Sequence, residues 1–159
     1  MTHYMELLAT NQPWNLLIYM AIPVILAEAV AITELYLLFT RNLKSCVATI
    51  NRIAGAIVGV YFVGIFFYLL KIAVIPLTLS GGWRGPADVI AVGFYLAGVV
   101  PLLGLTLIEA GVLKRGESAE AKLKLHATFV AIFLVVAHIA MIFGMLNPAL
   151  FMHASGMAM

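Results

Sequence analysis

Four long apolar stretches, separated by short polar loops, place the tightest limit on what this chain can fold into. They cover about residues 14–40, 53–77, 87–113 and 122–146. Each is long enough to cross a membrane as a helix, because a helix rises about 1.5 Å per residue and the hydrocarbon core is about 30 Å thick. Their apolar residues run continuously instead of alternating, which excludes the strands of a membrane barrel. The sequence therefore predicts an all-α membrane protein, a four-helix transmembrane bundle with short loops, formed by one domain over residues 1–159.

The composition supports lipid as the solvent of this bundle. Of the 159 residues, 64% are hydrophobic and 10% are charged, whereas a soluble domain has about 45–50% apolar and about 25% charged residues. The charges form neither a basic stripe nor an acidic tail, so we expect no nucleic-acid partner. The single cysteine, Cys46, excludes a disulfide within the chain. No nucleotide-binding loop or nucleophile constellation is present, so we do not expect an independent enzyme.

Lysine and arginine residues predict the orientation of the bundle. Seven of them lie in or beside the loops of one side: Arg41, Lys44, Arg52, Lys114, Arg115, Lys122 and Lys124. The other side has two, Lys71 and Arg84. Because cytoplasmic loops carry the excess of positive residues, we expect the seven-residue side to face the cytoplasm. Both termini then lie outside the cytoplasm, and the expected location is a bacterial inner (plasma) membrane.

Small residues in the second and third spans predict where two helices approach closely. The second span carries Gly55 and Gly59, and the third carries Gly93 and Gly104 close to one face. Small residues spaced in this way favour close helix contact in lipid. The same face is also suited to a second copy or to another subunit. Pro101 is expected to kink the third span, because proline removes one helical hydrogen bond.

Five ionisable residues fall within the predicted spans: Glu28, Glu34, Glu109, His126 and His138. A charge at the bilayer centre costs about 2.5–3.5 kcal/mol, so such residues usually have a partner or a function. Residue counts place Glu34 about 9 Å from the cytoplasmic end of its span, and Glu109 and His126 about 6 Å from theirs. These three form a predicted cytoplasmic layer. Glu28, at about 18 Å, and His138, at about 24 Å, form a predicted deeper pair.

Carboxylates and imidazoles on neighbouring helices suit a transition-metal ion, and they also suit a proton path. The leading functional expectation is therefore a membrane protein that handles a transition-metal ion. It would act as a permease-like component or as an accessory subunit of a metal-dependent membrane complex, with all five residues as candidate ligands. A structural alternative pairs Glu109 and His126 with Arg115 or Lys122 at the interface.

The two membrane histidines raise a haem alternative. His126 and His138 are about 18 Å apart along one helix, and the other three spans contain no histidine. Two bis-histidine haems are therefore excluded, but one haem b held by His138 remains open. A methionine would be its second axial ligand, or that position would be vacant. The chain would then be an electron-transfer or quinone-linked membrane subunit.

The two terminal segments contain histidine and methionine, which suit soft metal ions. The residues concerned are His3 and Met5 at one end and Met152, His153 and Met157 at the other. The alternative is that these segments have no metal role, since short tails are often unstructured.

The bilayer is the expected environment of the chain, and further protein partners are expected as well. Secondary transporters are usually built from repeated bundles, and four spans are few for one that acts alone. We therefore expect a homo-oligomer or a larger membrane complex. A third functional class follows, in which the chain is a structural subunit whose buried carboxylates pair with a partner protein.

Overall fold

A computed structural model describes residues 2–113 and 116–147, and this part of the chain contains helices and no strand. A short helix comes first, α1 (His3–Ala9). Four long helices follow, namely α2 (Trp14–Thr40), α3 (Cys46–Ser80), α4 (Pro86–Glu109) and α5 (Ala119–Met145), each long and apolar enough to cross a membrane. The prediction of an all-α membrane protein with four spanning helices is confirmed.

Capping residues explain where the observed helix ends differ from the predicted ones. Helix α3 begins at Cys46, seven residues before the predicted start, because the Ser45 side chain accepts a hydrogen bond from the Ala48 amide. Ser118 caps α5 in the same way, so this helix begins at 119 instead of 122. Polar residues at N-caps satisfy amides that have no partner within the helix, and the apolar pattern alone does not reveal them.

Helix α4 ends at Glu109, before the predicted end at residue 113, because Gly111 has the left-handed conformation, with φ of 71°. Its amide bonds to the Ile108 carbonyl, and the Val112 amide bonds back to the Leu107 carbonyl. This pair of bonds is the Schellman arrangement that closes many helices.

The four long helices alternate in direction and enclose one core. Helix α2 packs against α3 and α5, and α4 packs against the same two helices. Val30, Val58, Phe62, Leu102 and Phe133 lie at the centre of this core. We call the end with the α2–α3 and α4–α5 loops the basic end, since Arg41, Lys44, Arg52, Lys122 and Lys124 lie there. The opposite end, where α1 and the α3–α4 turn lie, is the α1 end.

The predicted contact between α3 and α4 is present. At Gly59 an added Cβ atom would overlap with the Leu102 carbonyl oxygen on α4. Gly104 faces α5 instead, where a Cβ atom would lie 2.8 Å from the Phe129 ring. Gly93, which was predicted to belong to the same interface, has open space beside it.

Helices α2, α3 and α4 each depart from regular geometry at one place, which in α3 is a π turn over Leu70–Val74. Helix α4 is interrupted at Gly98, three residues before Pro101, so the predicted proline kink is a break in the turn that precedes the proline ring. Helix α2 widens into a π-helical turn over Leu17–Ala21. There the Tyr95 hydroxyl donates a hydrogen bond of 2.5 Å to the Tyr19 carbonyl. Such π turns free carbonyl groups for other donors.

Candidate functional site

Three of the five predicted membrane residues meet near the basic end of the bundle. Glu34 comes from α2, Glu109 from the last turn of α4, and His126 from the second turn of α5. They form what we call the Glu34–His126–Glu109 cluster. Residue counts placed these side chains at one depth, and the structure shows that all three also face inward.

The imidazole of His126 lies between the two carboxylates. Its Nδ1 atom is 2.5 Å from Glu34 Oε2, and its Nε2 atom is 3.6 Å from Glu109 Oε1. The side chains of His126 and Glu34 are each 3% exposed, whereas that of Glu109 is 19% exposed. The two carboxylates therefore approach opposite nitrogens of one ring, one from the protein interior and one from the edge of the bundle.

Asn51 on α3 supplies further polar contacts to Glu34. Its side-chain nitrogen lies 3.1 Å from Glu34 Oε2, 2.9 Å from Thr33 Oγ1 and 3.2 Å from the Val30 carbonyl. Asn51 is buried. The sequence analysis missed this residue because it precedes the predicted start of the second span. An amide in the first turns of a long apolar helix was the signal that could have identified it.

Several polar atoms of the cluster are buried without a hydrogen bond. Glu34 Oε1 and both ring nitrogens of His126 have none in the described part of the chain. Glu34 Oε2 lies 2.5 Å from Nδ1, but the two atoms do not form a hydrogen bond. Buried polar groups are rarely left unpaired in native proteins. This arrangement is therefore suited to holding a further proton, a water molecule or a cation.

Gly55 makes room for the imidazole on the face of α3. A Cβ atom at this position would lie 3.1 Å from His126 Nε2 and 3.6 Å from Cε1. Any larger residue would therefore displace the ring. Gly55, which was predicted to be a packing residue, also sets the position of a functional side chain.

A cavity of about 390 Å³ opens beside the cluster at the basic end. Its polar lining consists of Asn51, Arg52, Glu109, Glu117, Lys122 and His126. Arg52 approaches Glu109 from the open side, with its Nε atom 3.9 Å from Glu109 Oε2. Water thus has access to the Glu109 side of the imidazole. Glu34, which does not line the cavity, lies behind the ring.

The arrangement limits how a metal ion could bind. Within residues 2–113 and 116–147, no group of three or more His, Cys, Asp or Glu side chains is arranged to hold one. The reason lies in the geometry, because a single ion cannot bind both nitrogens of the His126 ring. Glu34 and Glu109 are thereby kept from acting together as ligands, so at most two of the predicted ligands would bind one ion here.

The predicted deeper pair, Glu28 and His138, is not joined. Both residues are exposed, on the outward faces of α2 and α5. Among the described residues Glu28 has no hydrogen bond or ion pair, and His138 contacts only the Leu134 carbonyl of its own helix, 2.6 Å from Nδ1. The residue counts that grouped them report depth and contain no information on the direction of a side chain.

His3 and Met5, which were predicted to collect metal ions at the outer side, belong to α1. The His3 amide and Nδ1 lie 2.7 Å and 2.5 Å from the two carboxylate oxygens of the fully buried Asp88, in the first turn of α4. Met5 packs among the apolar residues at the same end. Burial raises the pKa of the neighbouring Tyr4 to about 12, so its hydroxyl stays neutral. Asp88 therefore fixes α1 to the bundle.

The remaining residues of the predicted metal-collecting tails, Met152, His153 and Met157, lie outside the described residues, as do Lys114 and Arg115 from the orientation argument. The structure therefore adds nothing to those predictions.

The haem alternative needs a pocket that receives His138. An apolar cavity between α2, α4 and α5 is lined by Tyr4, Tyr95 and Phe133, among others, but it holds only about 40 Å³. A porphyrin is many times larger, and His138 is not part of the lining. The residues here do not fit a haem, and we derive no chemistry from one.

Comparison with curated proteins and with solved structures finds no match for this chain. Its whole length, residues 1–159, matches the family DUF6803, a family of unknown function, to which the chain therefore belongs.

Proposed function

We propose that this chain is a proton-handling membrane protein in which the Glu34–His126–Glu109 cluster exchanges a proton with water at the basic end. The observation that carries the proposal is a buried imidazole with a carboxylate at each nitrogen, at 2.5 Å and 3.6 Å. Neutral imidazole accepts a proton at one nitrogen and releases one from the other, which makes histidine a proton shuttle. Glu109 then receives protons from the cavity, and Glu34 is the inner end of the path.

The surroundings of the cluster support access from one side only. The cavity borders Glu109 and His126, whereas the buried side chains of Val58, Phe62 and Leu102 fill the bundle toward the α1 end. In the part of the chain that the structure describes, these apolar side chains leave a proton at Glu34 no polar route onward. The cluster therefore acts as a proton-binding site open to the basic end.

Infrared difference spectroscopy of the reconstituted protein tests the proposal. Between about pH 5 and pH 8, where histidine environments change charge, we expect a carboxyl band that changes with pH. Glu34→Gln and His126→Gln should each remove or shift this band. Glu120→Gln is the matched control, because Glu120 is an exposed carboxylate at the same end, paired with Arg41. An unaltered band in both cluster variants contradicts the proposal.

A transition-metal ion is the second candidate occupant, and one distance favours it. Zinc binds imidazole nitrogen and carboxylate oxygen at about 2.0–2.2 Å, which puts two tetrahedral ligands about 3.3–3.5 Å apart. His126 Nε2 and Glu109 Oε1 are 3.6 Å apart. Glu34 would then lie behind the ring, beside Nδ1. The remaining ligands would be water molecules in the cavity, as suits a permease-like component or an accessory subunit.

Metal titration separates the two candidates. Binding of Co²⁺ to the purified protein, followed by its visible absorption, is expected to disappear in both His126→Ala and Glu109→Gln and to persist in Glu120→Gln. Retained binding in both cluster variants, or no binding by the native chain, excludes the metal ion. The pH-dependent carboxyl band described above is recorded without metal, so the proton proposal is judged separately.

We further propose that the chain resides in a bacterial inner membrane with the basic end in the cytoplasm, as the positive residues of its loops indicate. Cys46, the only cysteine, is exposed at that end. A membrane-impermeant maleimide added to intact cells should leave it unlabelled and should label it after permeabilisation. Labelling in intact cells would reverse the orientation.

A further inference from the structure

The cavity at the basic end has the size and the lining of a site for a small organic molecule. It holds about 390 Å³, within the range of about 300–1,000 Å³ that is typical of ligand pockets. One wall is apolar, because Leu37, Ala48 and Leu123 pack into one hydrophobic cluster with Leu43, and all four line the cavity. Such a wall gains nothing from an inorganic ion but favours a ligand with an apolar body.

Lys122 carries a charge in the described cavity lining that has no partner. Arg52 and Glu109 face each other, with 3.9 Å between Nε and Oε2, and Glu117 has an interaction of its own. Lys122 is partly buried and forms no hydrogen bond or ion pair with a described residue. Because a partly buried charge is unfavourable until it is paired, this ammonium group favours an anion in the cavity.

The start of α5 adds to the positive potential of the same wall. Ala119, the first residue of α5, lines the cavity, and Lys122 follows in the same turn. The first amides of a helix have no partner within it, and they attract anions. Glu120, the acidic residue of this turn, does not line the cavity and pairs with Arg41 and Lys124 instead.

The inner wall of the cavity provides a second, independent observation that points to a ligand. His126 lines the cavity one helical turn beyond Lys122, and its side chain is 3% exposed. Neither of its ring nitrogens has a hydrogen bond in the described part of the chain. The nitrogen on the cavity side, Nε2, lies 3.6 Å from Glu109 Oε1. The cavity therefore ends at a buried polar group with unused hydrogen-bonding capacity.

We propose that the cavity binds a small organic acid as its anion, with the carboxylate at Lys122 and the apolar body against the wall of Leu37 and Leu123. The carboxylate accepts hydrogen bonds from the ammonium group and from the first amides of α5, and bonds between charged groups are the stronger ones. The excess of basic residues at this end raises the local concentration of anions. This site goes beyond the proposed proton exchange, because Lys122 and the leucines are not part of the Glu34–His126–Glu109 cluster.

Three probes of one shape and different charge test the class of ligand. Benzoate is an anion, benzamide is neutral and benzamidine is a cation, and all three carry the same ring. Equilibrium dialysis of radiolabelled benzoate against the purified full chain in micelles measures binding, with empty micelles as the background. We expect saturable binding that unlabelled benzoate displaces, that benzamide displaces less well and that benzamidine does not displace. Acetate, which lacks the ring, should also displace it less well than benzoate.

Two lysines of α5 provide a matched pair of variants. Lys122→Gln and Lys124→Gln each remove one positive charge near the start of the helix, but Lys124 does not line the cavity and pairs with Glu120 at 3.5 Å. Loss of a hydrogen bond to a charged group weakens binding about tenfold or more. We expect this loss of benzoate affinity in Lys122→Gln, nearly native affinity in Lys124→Gln, and recovery in Lys122→Arg.

Reaction of the native chain with an amine-specific reagent locates the site. Benzoate should slow the modification of Lys122, as measured by mass spectrometry of its peptide. Lys44 is the internal control, because it is exposed at the same end and does not line the cavity. Its modification should proceed at the same rate with and without benzoate.

Four results overturn the proposal. They are the absence of saturable benzoate binding, displacement by benzamide, benzamidine or acetate that equals displacement by benzoate, equal affinity of Lys122→Gln and Lys124→Gln, and unprotected Lys122 in saturating benzoate. The pH-dependent carboxyl band is recorded without ligand, and Lys122→Gln should retain it. Failure of this site and failure of the proton proposal are therefore distinguishable.

Discussion

Replacing Gly59 by alanine tests how closely α3 and α4 approach. The added Cβ atom would overlap with the Thr106 hydroxyl and the Leu102 carbonyl oxygen and would lie 3.0 Å from the Leu102 carbonyl carbon. Carbon atoms in contact are about 3.5–4.0 Å apart. The hydroxyl can rotate away, but the backbone cannot, so the two helices must separate locally by about 0.5–1 Å.

Two opposing terms determine the free energy of unfolding of Gly59→Ala. Overpacking costs about 1–3 kcal/mol, and alanine gains about 1 kcal/mol over glycine in a helix interior. Gly64→Ala isolates the second term, because nothing lies within 4 Å of a Cβ atom there. Gly64 is on the same helix, so both variants change helix propensity alike. We therefore expect Gly59→Ala to be less stable than Gly64→Ala by about 1–3 kcal/mol.

Reversible unfolding in mixed micelles, followed by circular dichroism, measures this difference. Separation of the helices also moves Glu109, which lies three residues beyond Thr106 on α4, relative to its partner Arg52 on α3. The pH-dependent carboxyl band should therefore shift in Gly59→Ala and remain native in Gly64→Ala. Equal stability of the two variants would refute the close approach of α3 and α4, whatever the band shows.

The other predictions concern single contacts. Gly55→Ala should displace the His126 ring by a few tenths of an ångström and leave the free energy of unfolding nearly unchanged. The strain of about 0.5–1.5 kcal/mol is offset by the helix-propensity gain of about 1 kcal/mol from alanine. The imidazole nitrogen resonances report the displacement. Tyr95→Phe leaves a carbonyl of the π turn unpaired and should lower the free energy of unfolding by about 1–3 kcal/mol in the same micelle titration. Asp88→Ala should accelerate amide hydrogen exchange throughout α1 and leave α3 protected. The reason is that Asp88 contacts both the amide and the ring of His3. Unchanged exchange in α1 would refute this attachment.

The spans and the depth of the cluster were predictable from the sequence because they depend only on position along the helix axis. A fixed rise per residue converts position in the chain into depth, which placed Glu34, Glu109 and His126 in one layer. Rotation about a helix axis depends on neighbours that are distant in sequence. Glu28 and Glu34 are six residues apart, so their positions around the helix axis differ by about 120°. The sequence could not establish which of the two faces the interior.

Two buried polar residues were missed for related reasons. Asn51 lies in the helical turns that the Ser45 cap adds to α3, so it stood outside the predicted span. Asp88 was not among the residues that the sequence analysis singled out, although it anchors the chain's first helix through His3. Their roles arise from contacts across the bundle, with Glu34 on α2 and with α1.

The membrane carboxylates Glu34 and Glu28 differ in what surrounds them. Glu34 lies inside the bundle beside His126 and Asn51, where fixed partners reduce the cost of burial and the nearby cavity supplies water. Glu28 faces outward, where lipid offers no hydrogen bond at all. A charged carboxylate without a partner is unfavourable in lipid, so we expect Glu28 to be protonated at this position.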